Sequence, residues 1–296
     1  MKTIIPLMIV LSFGAQAADF SMHVEQCSIG HPQYCFKLAE KYYLGQGVTK
    51  DFNLAFEYAN KACELGSALG CLRLGTLYEN GNGVLADHEK AYLLYQKGCD
   101  LKSNVSCYRA GLIKFGGTDG DINLNSASYL YQKACQLKNA DACTAIDIMY
   151  QNGIGIKNDM NKAIYYFKRG CGLGGSQACT NLGISYESGK GVHQNYIIAK
   201  HYYLDGCRLE NALSCLNLAN IKFNGDDGDK DLDGAFQLYS RACELNNAKA
   251  CNTLGYFYQI SKGEDEKPSL AIDYYKKGCI LGNSFACENV KSFMKP

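Results

Sequence analysis

The cysteines of this 296-residue chain recur on a fixed period of 36 residues. Eight of them are 36 residues apart, and each is followed eight positions later by a second cysteine. The first members are Cys27, Cys63, Cys99, Cys135, Cys171, Cys207, Cys243 and Cys279, and the second members are Cys35, Cys71, Cys107, Cys143, Cys179, Cys215, Cys251 and Cys287. A constant period of this length is typical of a stacked repeat array and not of a single closed globule.

The residues between the cysteines predict two helices in each period. Apolar and small residues recur at steps of three and four, which places them on one helical face. The face of the first helix is Ala55, Tyr58, Ala59 and Ala62, and that of the second is Cys71, Leu74, Gly75 and Tyr78. We therefore predict an all-α, right-handed α-solenoid of 36-residue helix–turn–helix repeats, which forms a single array over residues 18–296.

Helix-boundary residues recur on the same period. An Asp or Asn lies four positions before the repeated alanine of the first helix, where its side chain can cap free N–H groups. These residues are Asp51, Asp87, Asn123, Asp159, Asn195 and Asp231. The second helix is expected to end at glycines such as Gly81 and Gly153, which adopt the left-handed backbone conformation easily. We expect the periodic tyrosines to pack between repeats; they are Tyr42, Tyr78, Tyr150, Tyr186 and Tyr258.

The first 17 residues have the pattern of a secretory signal peptide. A basic Lys2 precedes an apolar run over residues 4–13, and Ala15-Gln16-Ala17 fits a cleavage site before Ala18. The apolar run is too short to span a membrane. We expect an exported protein, periplasmic or secreted, with no membrane association after the signal is removed.

Two motifs carry a resemblance to known families. Leu74 to Val84 reads Leu-Gly-x-x-Tyr-x-x-Gly-x-Gly-Val, and Lys90 to Tyr95 reads Lys-Ala-x-x-x-Tyr. This unit resembles the Sel1-like repeat, a relative of the tetratricopeptide repeat. The pair of cysteines in every unit, together with the export signal, is similar to the Helicobacter cysteine-rich protein family. That resemblance implies a penicillin-binding protein with weak β-lactamase activity.

Sixteen cysteines in an exported chain favour disulfides over metal ligands. The five His residues do not follow the period, and structural zinc sites use closer cysteine spacings. Seven long-range bridges such as Cys35–Cys63 would leave Cys27 and Cys287 unpaired, whereas eight local bridges such as Cys63–Cys71 use every cysteine. The shorter loop also costs roughly 1 kcal/mol less chain entropy per bridge. We therefore predict eight local disulfides and no metal or cofactor.

Composition and motifs argue against several functions. A formal net charge of +1 lacks the basic character of a nucleic-acid binder. A β-lactamase S-x-x-K motif matches only residues 292–295, without the S-D-N and K-T-G elements, which we read as a chance match. Residues 229–234 copy the start of a calcium loop, but its twelfth position is Ser240 in place of a glutamate. No residue can therefore be assigned a catalytic role from these patterns.

The candidate binding residues lie on the second helix, which lines a concave groove in tetratricopeptide relatives. Side chains vary from repeat to repeat there, with basic residues in the early repeats and amides in the later ones. The candidates are Lys37, Arg73, Tyr108, Arg109, Thr144, Asn181, Asn217, Asn220, Asn252 and Tyr256. Amides can pair with a peptide backbone, and Lys or Arg can pair with a carboxylate.

The function that we infer from the residues is binding. We predict a non-catalytic, disulfide-stapled scaffold, monomeric, that holds a peptide, a protein or a cell-wall fragment in its groove. The alternative, a β-lactam hydrolase that binds penicillin, is implied by the family resemblance alone.

Overall fold

The computed structural model describes residues 19–118, 120–260 and 268–293, and all regular secondary structure in these residues is helical. The sixteen helices are α1 (19–28), α2 (Pro32–Leu44), α3 (Phe52–Glu64), α4 (Ala68–Asn80), α5 (His88–Asp100), α6 (Asn104–Gly116), α7 (Leu124–Gln136), α8 (Ala140–Asn152), α9 (Met160–Gly172), α10 (Ser176–Ser188), α11 (Tyr196–Arg208), α12 (Ala212–Asn224), α13 (Leu232–Glu244), α14 (Ala248–Ile260), α15 (Pro268–Ile280) and α16 (Ser284–Phe293). Odd-numbered helices are the first helices of the repeats, and even-numbered helices are the second. The predicted all-α solenoid of 36-residue repeats is confirmed. The predicted signal peptide lies outside the described residues.

The chain divides into two compact units. Unit 1 contains the described residues up to Ala142 together with Ile154–Ile156, and unit 2 contains Cys143–Gly153 and the described residues from Lys157 onward. In unit 1 the pairs α2–α3, α4–α5 and α6–α7 pack side by side, and in unit 2 the pairs α10–α11, α12–α13 and α14–α15 do so. Second helices of successive repeats are also in contact within each unit. In unit 1, α2 contacts α4, and in unit 2, α10 contacts α12. This contact forms a continuous side-chain surface on the second helices of each unit.

The predicted caps are present at the starts of the first helices. Asp51 accepts hydrogen bonds from the backbone N–H groups of Asn53 and Leu54, at 2.9 and 3.1 Å. The other five residues of that column cap their helices in the same way. Sequence reasoning missed a second cap column, in which Ser67 accepts from the Gly70 N–H at 3.0 Å. Most second helices therefore begin at a side-chain cap too, and the exceptions are α2 and α10, which begin after His31 and Gly175.

Local disulfides join the end of each first helix to the second helix that follows. Cys63 and Cys71, for example, are bonded with their Cα atoms 4.4 Å apart, and both are buried. Six more bridges of the same separation have Cα distances of 4.5 to 4.7 Å. Cys135 and Cys143 are disulfide-bonded too. The predicted local pairing is confirmed, and the alternative of longer bridges is not what the structure shows.

Two sets of tyrosines pack the repeats together. The periodic tyrosines predicted to do so include Tyr42, whose ring stacks on Tyr58 at 5.7 Å with the planes 3° apart. Sequence reasoning missed a more deeply buried set on the first helices, of which Tyr95 and Tyr203 are examples. Each ring of this set lies against a small residue of the preceding second helix. A Cβ atom added at Gly75 would lie 2.7 Å from the Tyr95 ring. The ring can therefore pack here because glycine has no side chain.

Replacing Gly75 with valine is expected to lower the free energy of unfolding by about 1–3 kcal/mol, because the new side chain would overlap the Tyr95 ring. Urea denaturation of the oxidised protein measures this change. Gly172→Val is the matched control, since Gly172 is also helical and has no atom within 4 Å of the added Cβ. Equal destabilisation by both variants would mean that overlap with the Tyr95 ring is not the cause of the loss, since helix propensity by itself favours valine over glycine.

Among the second helices before α16, which has Lys291 at this position, one departs from the small-residue column. The equivalent positions are Ala39, Gly75, Gly111, Asp147, Gly183, Ala219 and Gly255. Asp147 of α8 has no exposed surface, and neither of its carboxylate oxygens has a hydrogen-bond partner. Burial raises the pKa of Asp147 to about 9. Where other repeats have the buried tyrosine, the next first helix has Phe167, which cannot donate a hydroxyl hydrogen bond.

Candidate binding groove on the second helices

A groove of about 330 Å³ crosses helices α2, α4 and α6 of unit 1. It contains Arg73 and Arg109, two of the residues that the sequence predicted for binding. Its lining is Phe36, Tyr43, Leu69, Leu72, Arg73, Thr76, Asn80, Val105 and Arg109. Two predicted residues of the early repeats therefore line a concave feature of the second helices, and their role in binding stays a prediction.

Arg73 is held by contacts within the protein. Its Nη2 donates to Glu40 Oε2 at 2.8 Å, and its Nε donates to Glu40 Oε1. Its guanidinium carbon lies 4.0 Å from the centre of the Tyr43 ring, a cation–π contact. The Glu40 pair uses two of the five guanidinium N–H bonds. Arg73 is thus positioned before any ligand arrives, and its charge is already compensated.

Arg109 is held in the same manner one repeat later. Its Nη1 donates to Glu79 Oε2 at 3.0 Å, and the same oxygen accepts the Tyr95 hydroxyl hydrogen bond at 2.6 Å. Burial, followed by the nearby Glu79 carboxylate, raises the pKa of Tyr95 above its usual value. The Tyr95 hydroxyl therefore stays protonated and continues to donate to Glu79. This chain of contacts links the groove to the buried tyrosine column.

Exposed apolar side chains complete the groove, and sequence reasoning did not select them. Leu69 is 50% exposed and Val105 is 39% exposed. Both lie two positions before the second cysteine of their repeats, where later repeats have Asp141, Gln177, Leu213, Lys249 and Phe285. The signal that could have found them is an apolar residue at a position that solvent reaches in other repeats. The groove therefore combines an exposed apolar surface with two fixed guanidinium groups.

The two other candidates in unit 1 lie outside the groove lining. Lys37 Nζ is 5.1 Å from the centre of the Tyr34 ring. The Tyr108 ring is 5.7 Å from the Tyr131 ring, and burial raises the pKa of Tyr108. Both side chains are used, at least in part, in packing.

The amide candidates of unit 2 form hydrogen bonds to other side chains of the protein instead of an open row of amides. Asn181 Oδ1 accepts from Gln177 Nε2 at 2.9 Å, and Asn252 Oδ1 accepts from Asn289 Nδ2 at 3.0 Å. Asn220 Oδ1 accepts the Tyr239 hydroxyl hydrogen bond at 2.8 Å. The Asn217 side chain forms a hydrogen bond with the buried Tyr203 hydroxyl. These amides already stabilise packing between helices.

Thr144 and Tyr256 complete the predicted set. Thr144 takes part in a contact within the protein. Tyr256 is 52% exposed, and its ring is 6.4 Å from that of Phe257. Neither residue lines the groove of unit 1.

The described residues contain no group of three His, Cys, Asp or Glu side chains that could hold a metal ion. In the region that resembles a calcium loop, Asp231 accepts from the Gly234 N–H at 2.8 Å and pairs with Lys222. Asp231 therefore serves as a helix cap. Of the S-x-x-K match at the C-terminal end, Lys295 lies outside the described residues.

Membrane-spanning character is also absent from the described helices. Within residues 19–118, 120–260 and 268–293, no helix has both the length and the apolar character needed to cross a bilayer.

Solved structures with the same fold include two repeat proteins at 22% identity. A protective antigen of uropathogenic Escherichia coli matches with a TM-score of 0.80 over 91% of this chain, which spans 58% of that antigen. A Sel1 repeat protein from Oxalobacter formigenes matches with a TM-score of 0.78 over 92% of this chain and 79% of its own. Helicobacter pylori cysteine rich protein B is 30% identical over 43% of this chain and 91% of its own, with a TM-score of 0.36. No curated protein matches the sequence.

The Sel1 repeat model matches seven consecutive segments, and each begins at or near the start of a second helix. The segments are 32–67, 68–103, 104–139, 143–175, 176–211, 212–247 and 248–283. They cover most of the chain and follow its cysteine period. The chain belongs to the Sel1 repeat family.

Proposed function

We propose that the groove of unit 1 binds an extended segment of a partner protein, and that this disulfide-stapled scaffold acts by binding. Sel1 repeats are protein-interaction modules, and the structure is built of them. In this proposal an apolar side chain of the segment packs on Leu69 and Val105. The N–H groups of Arg73 and Arg109 that their glutamates leave free donate to carbonyl or carboxylate oxygens of the segment.

The observation that carries this proposal is an exposed apolar pair in the same groove as two arginines that already have partners, each apolar residue lying one helical turn before the arginine of its helix. A side chain held by an ion pair loses little further rotamer freedom when a ligand binds. The entropic cost of ordering it therefore lowers the binding free energy very little. Because Glu40 and Glu79 compensate the two guanidinium charges, a carboxylate on the ligand is useful but not required. Apolar contact is therefore expected to dominate the affinity.

The proposed setting is outside the cytoplasm. The disulfide-bonded cysteines indicate an oxidising compartment. We propose that the chain is cleaved before Ala18 and exported to the periplasm or out of the cell. We also propose that its repeats form a single array and that the protein is a monomer.

A peptide-selection experiment tests the groove. A random peptide library displayed on phage is selected against the purified, oxidised protein, and an enriched peptide is titrated by calorimetry. Leu69→Asp is expected to weaken its binding about tenfold or more, because it places a charge in the apolar surface.

Leu213→Asp is the matched control. Leu213 lies at the same register position, in α12 of unit 2, and is 39% exposed, but it is not part of the groove. Its replacement is expected to leave affinity unchanged. Selection that enriches no peptide, or a peptide that binds Leu69→Asp as tightly as the unaltered protein, would refute the proposed function.

A further inference from the structure

Two depressions that share Tyr129 lie along α7 of unit 1, one lined also by α5 and the other by Lys102 in the loop after α5, and neither includes a residue of the groove. Their volumes are about 330 and 290 Å³. Tyr129 of α7 lines both of them and is 64% exposed. The exposed ring of Tyr129 therefore joins two open depressions into one surface.

The polar lining of this surface is mainly neutral amides. Gln96 and Asn125 line one depression, and Gln132 and Gln136 line the other. An amide group both donates and accepts hydrogen bonds, as a hydroxyl does. Amides on either side of an exposed ring therefore suit a ligand that presents hydroxyl groups along its edge and C–H groups on its face.

The charged residues of the lining are two lysines, and one of them is paired with an aspartate of the protein. Lys133 Nζ lies 2.8 Å from Asp100 Oδ1. Lys114 Nζ lies 4.5 Å from the centre of the Tyr92 ring and 3.1 Å from Asp121 Oδ2. Of the residues lining the two depressions, Lys102 is the other charged one. The rest of the lining is neutral, so an uncharged ligand can use the Tyr129 ring and the amides.

We propose that this surface binds a neutral oligosaccharide chain. One sugar ring stacks on Tyr129, and hydroxyl groups of the neighbouring sugars bond to the amides of the two depressions. A peptide fits less well, because the lining offers no deep apolar pocket to hold a side chain. This site is separate from the peptide groove and does not depend on the proposed function.

Calorimetric titration with maltohexaose, cellohexaose and hexa-N-acetylchitohexaose tests the proposal on the oxidised protein. At least one of the three is expected to bind. Tyr129→Ala is expected to weaken that binding about tenfold or more, because the stacking surface is lost. Tyr129→Phe keeps the ring and is expected to bind within about twofold of the unaltered protein.

Tyr165→Ala is the matched control, with no expected effect on binding. Tyr165 occupies the same register position in the next repeat and is 56% exposed, but its ring packs against Tyr166 at 5.1 Å. Unchanged thermal unfolding of Tyr129→Ala, followed by circular dichroism, verifies that its fold is intact. Two outcomes would overturn the proposal: no binding of any of the three sugars, or sugar binding that is as tight in Tyr129→Ala as in the unaltered protein.

Discussion

Replacing Asp147 with alanine is expected to raise the free energy of unfolding by about 3 kcal/mol at pH 7. Asp147 is fully buried with both oxygens unpartnered, and burial raises its pKa to about 9. In the unfolded chain the carboxyl ionises near pH 3.9, about three pH units below neutrality, so keeping it protonated at pH 7 costs about 4 kcal/mol. Alanine is smaller than aspartate and leaves a small cavity. We expect this cavity to lower the free energy of unfolding by about 1 kcal/mol, which leaves a net gain of about 3 kcal/mol.

The sign of the pH dependence follows from the raised pKa. The folded protein binds the Asp147 proton more tightly than the unfolded chain does, so this residue lowers stability as pH rises from about 4 to about 9. The gain from Asp147→Ala is therefore expected to be small at pH 4 and to grow towards pH 8. Asp147→Asn, which keeps the volume but not the titration, is expected to remove the same slope.

Urea denaturation of the oxidised proteins between pH 4 and pH 9 measures both effects. Asp273→Asn is the control, because Asp273 is an exposed carboxylate in the middle of α15. A gain from Asp147→Ala that does not vary with pH, or a loss of stability at every pH, would show that Asp147 has a partner that compensates its burial.

Removing one local disulfide is expected to lower the free energy of unfolding by about 2.5 kcal/mol, since a bridge over a loop of this length restricts the unfolded chain by about that amount. Cys63→Ala with Cys71→Ala removes one bridge of unit 1, and Cys243→Ala with Cys251→Ala removes one of unit 2. The four substitutions together are expected to cost about 5 kcal/mol, because repeat stabilities add approximately. Urea denaturation without reductant measures each loss.

Alkylation and mass spectrometry check the bridges themselves. The denatured, non-reduced protein is expected to take up no label at the cysteines that the structure shows bonded, and the reduced protein is expected to take up label at all sixteen. A peptide that linked Cys35 to Cys63 in the non-reduced digest would contradict the local pairing. Equal stability of oxidised and reduced protein would show that the bridges do not stabilise the fold.

Local features were predictable because their physical causes are local. Asp51 caps α3 through N–H groups two and three residues away, and Cys63 bonds to a cysteine eight residues away. The period repeats such features along the chain, so one correct interpretation applies to every repeat. The buried tyrosine column was missed because it depends on a contact between two helices. Tyr95 lies on α5, and the glycine that leaves space for its ring, Gly75, lies on α4.

The lining of the unit 1 groove was predicted only in part, for a related reason. Arg73 and Arg109 were selected for their charge, but their partners Glu40 and Glu79 lie 33 and 30 residues earlier. The apolar Leu69 was passed over because apolar residues normally indicate core. Whether a side chain on a second helix faces solvent, a ligand or the adjacent repeat depends on how those helices pack.

The sequence by itself determined the repeat length, the helical hairpin, its caps and its disulfides, because each of these arises from groups within one period of the chain. Only the tertiary structure decided which charges are compensated, which apolar groups stay exposed, and that Asp147 is buried without a partner. These properties depend on distances between side chains of neighbouring repeats, and packing sets those distances.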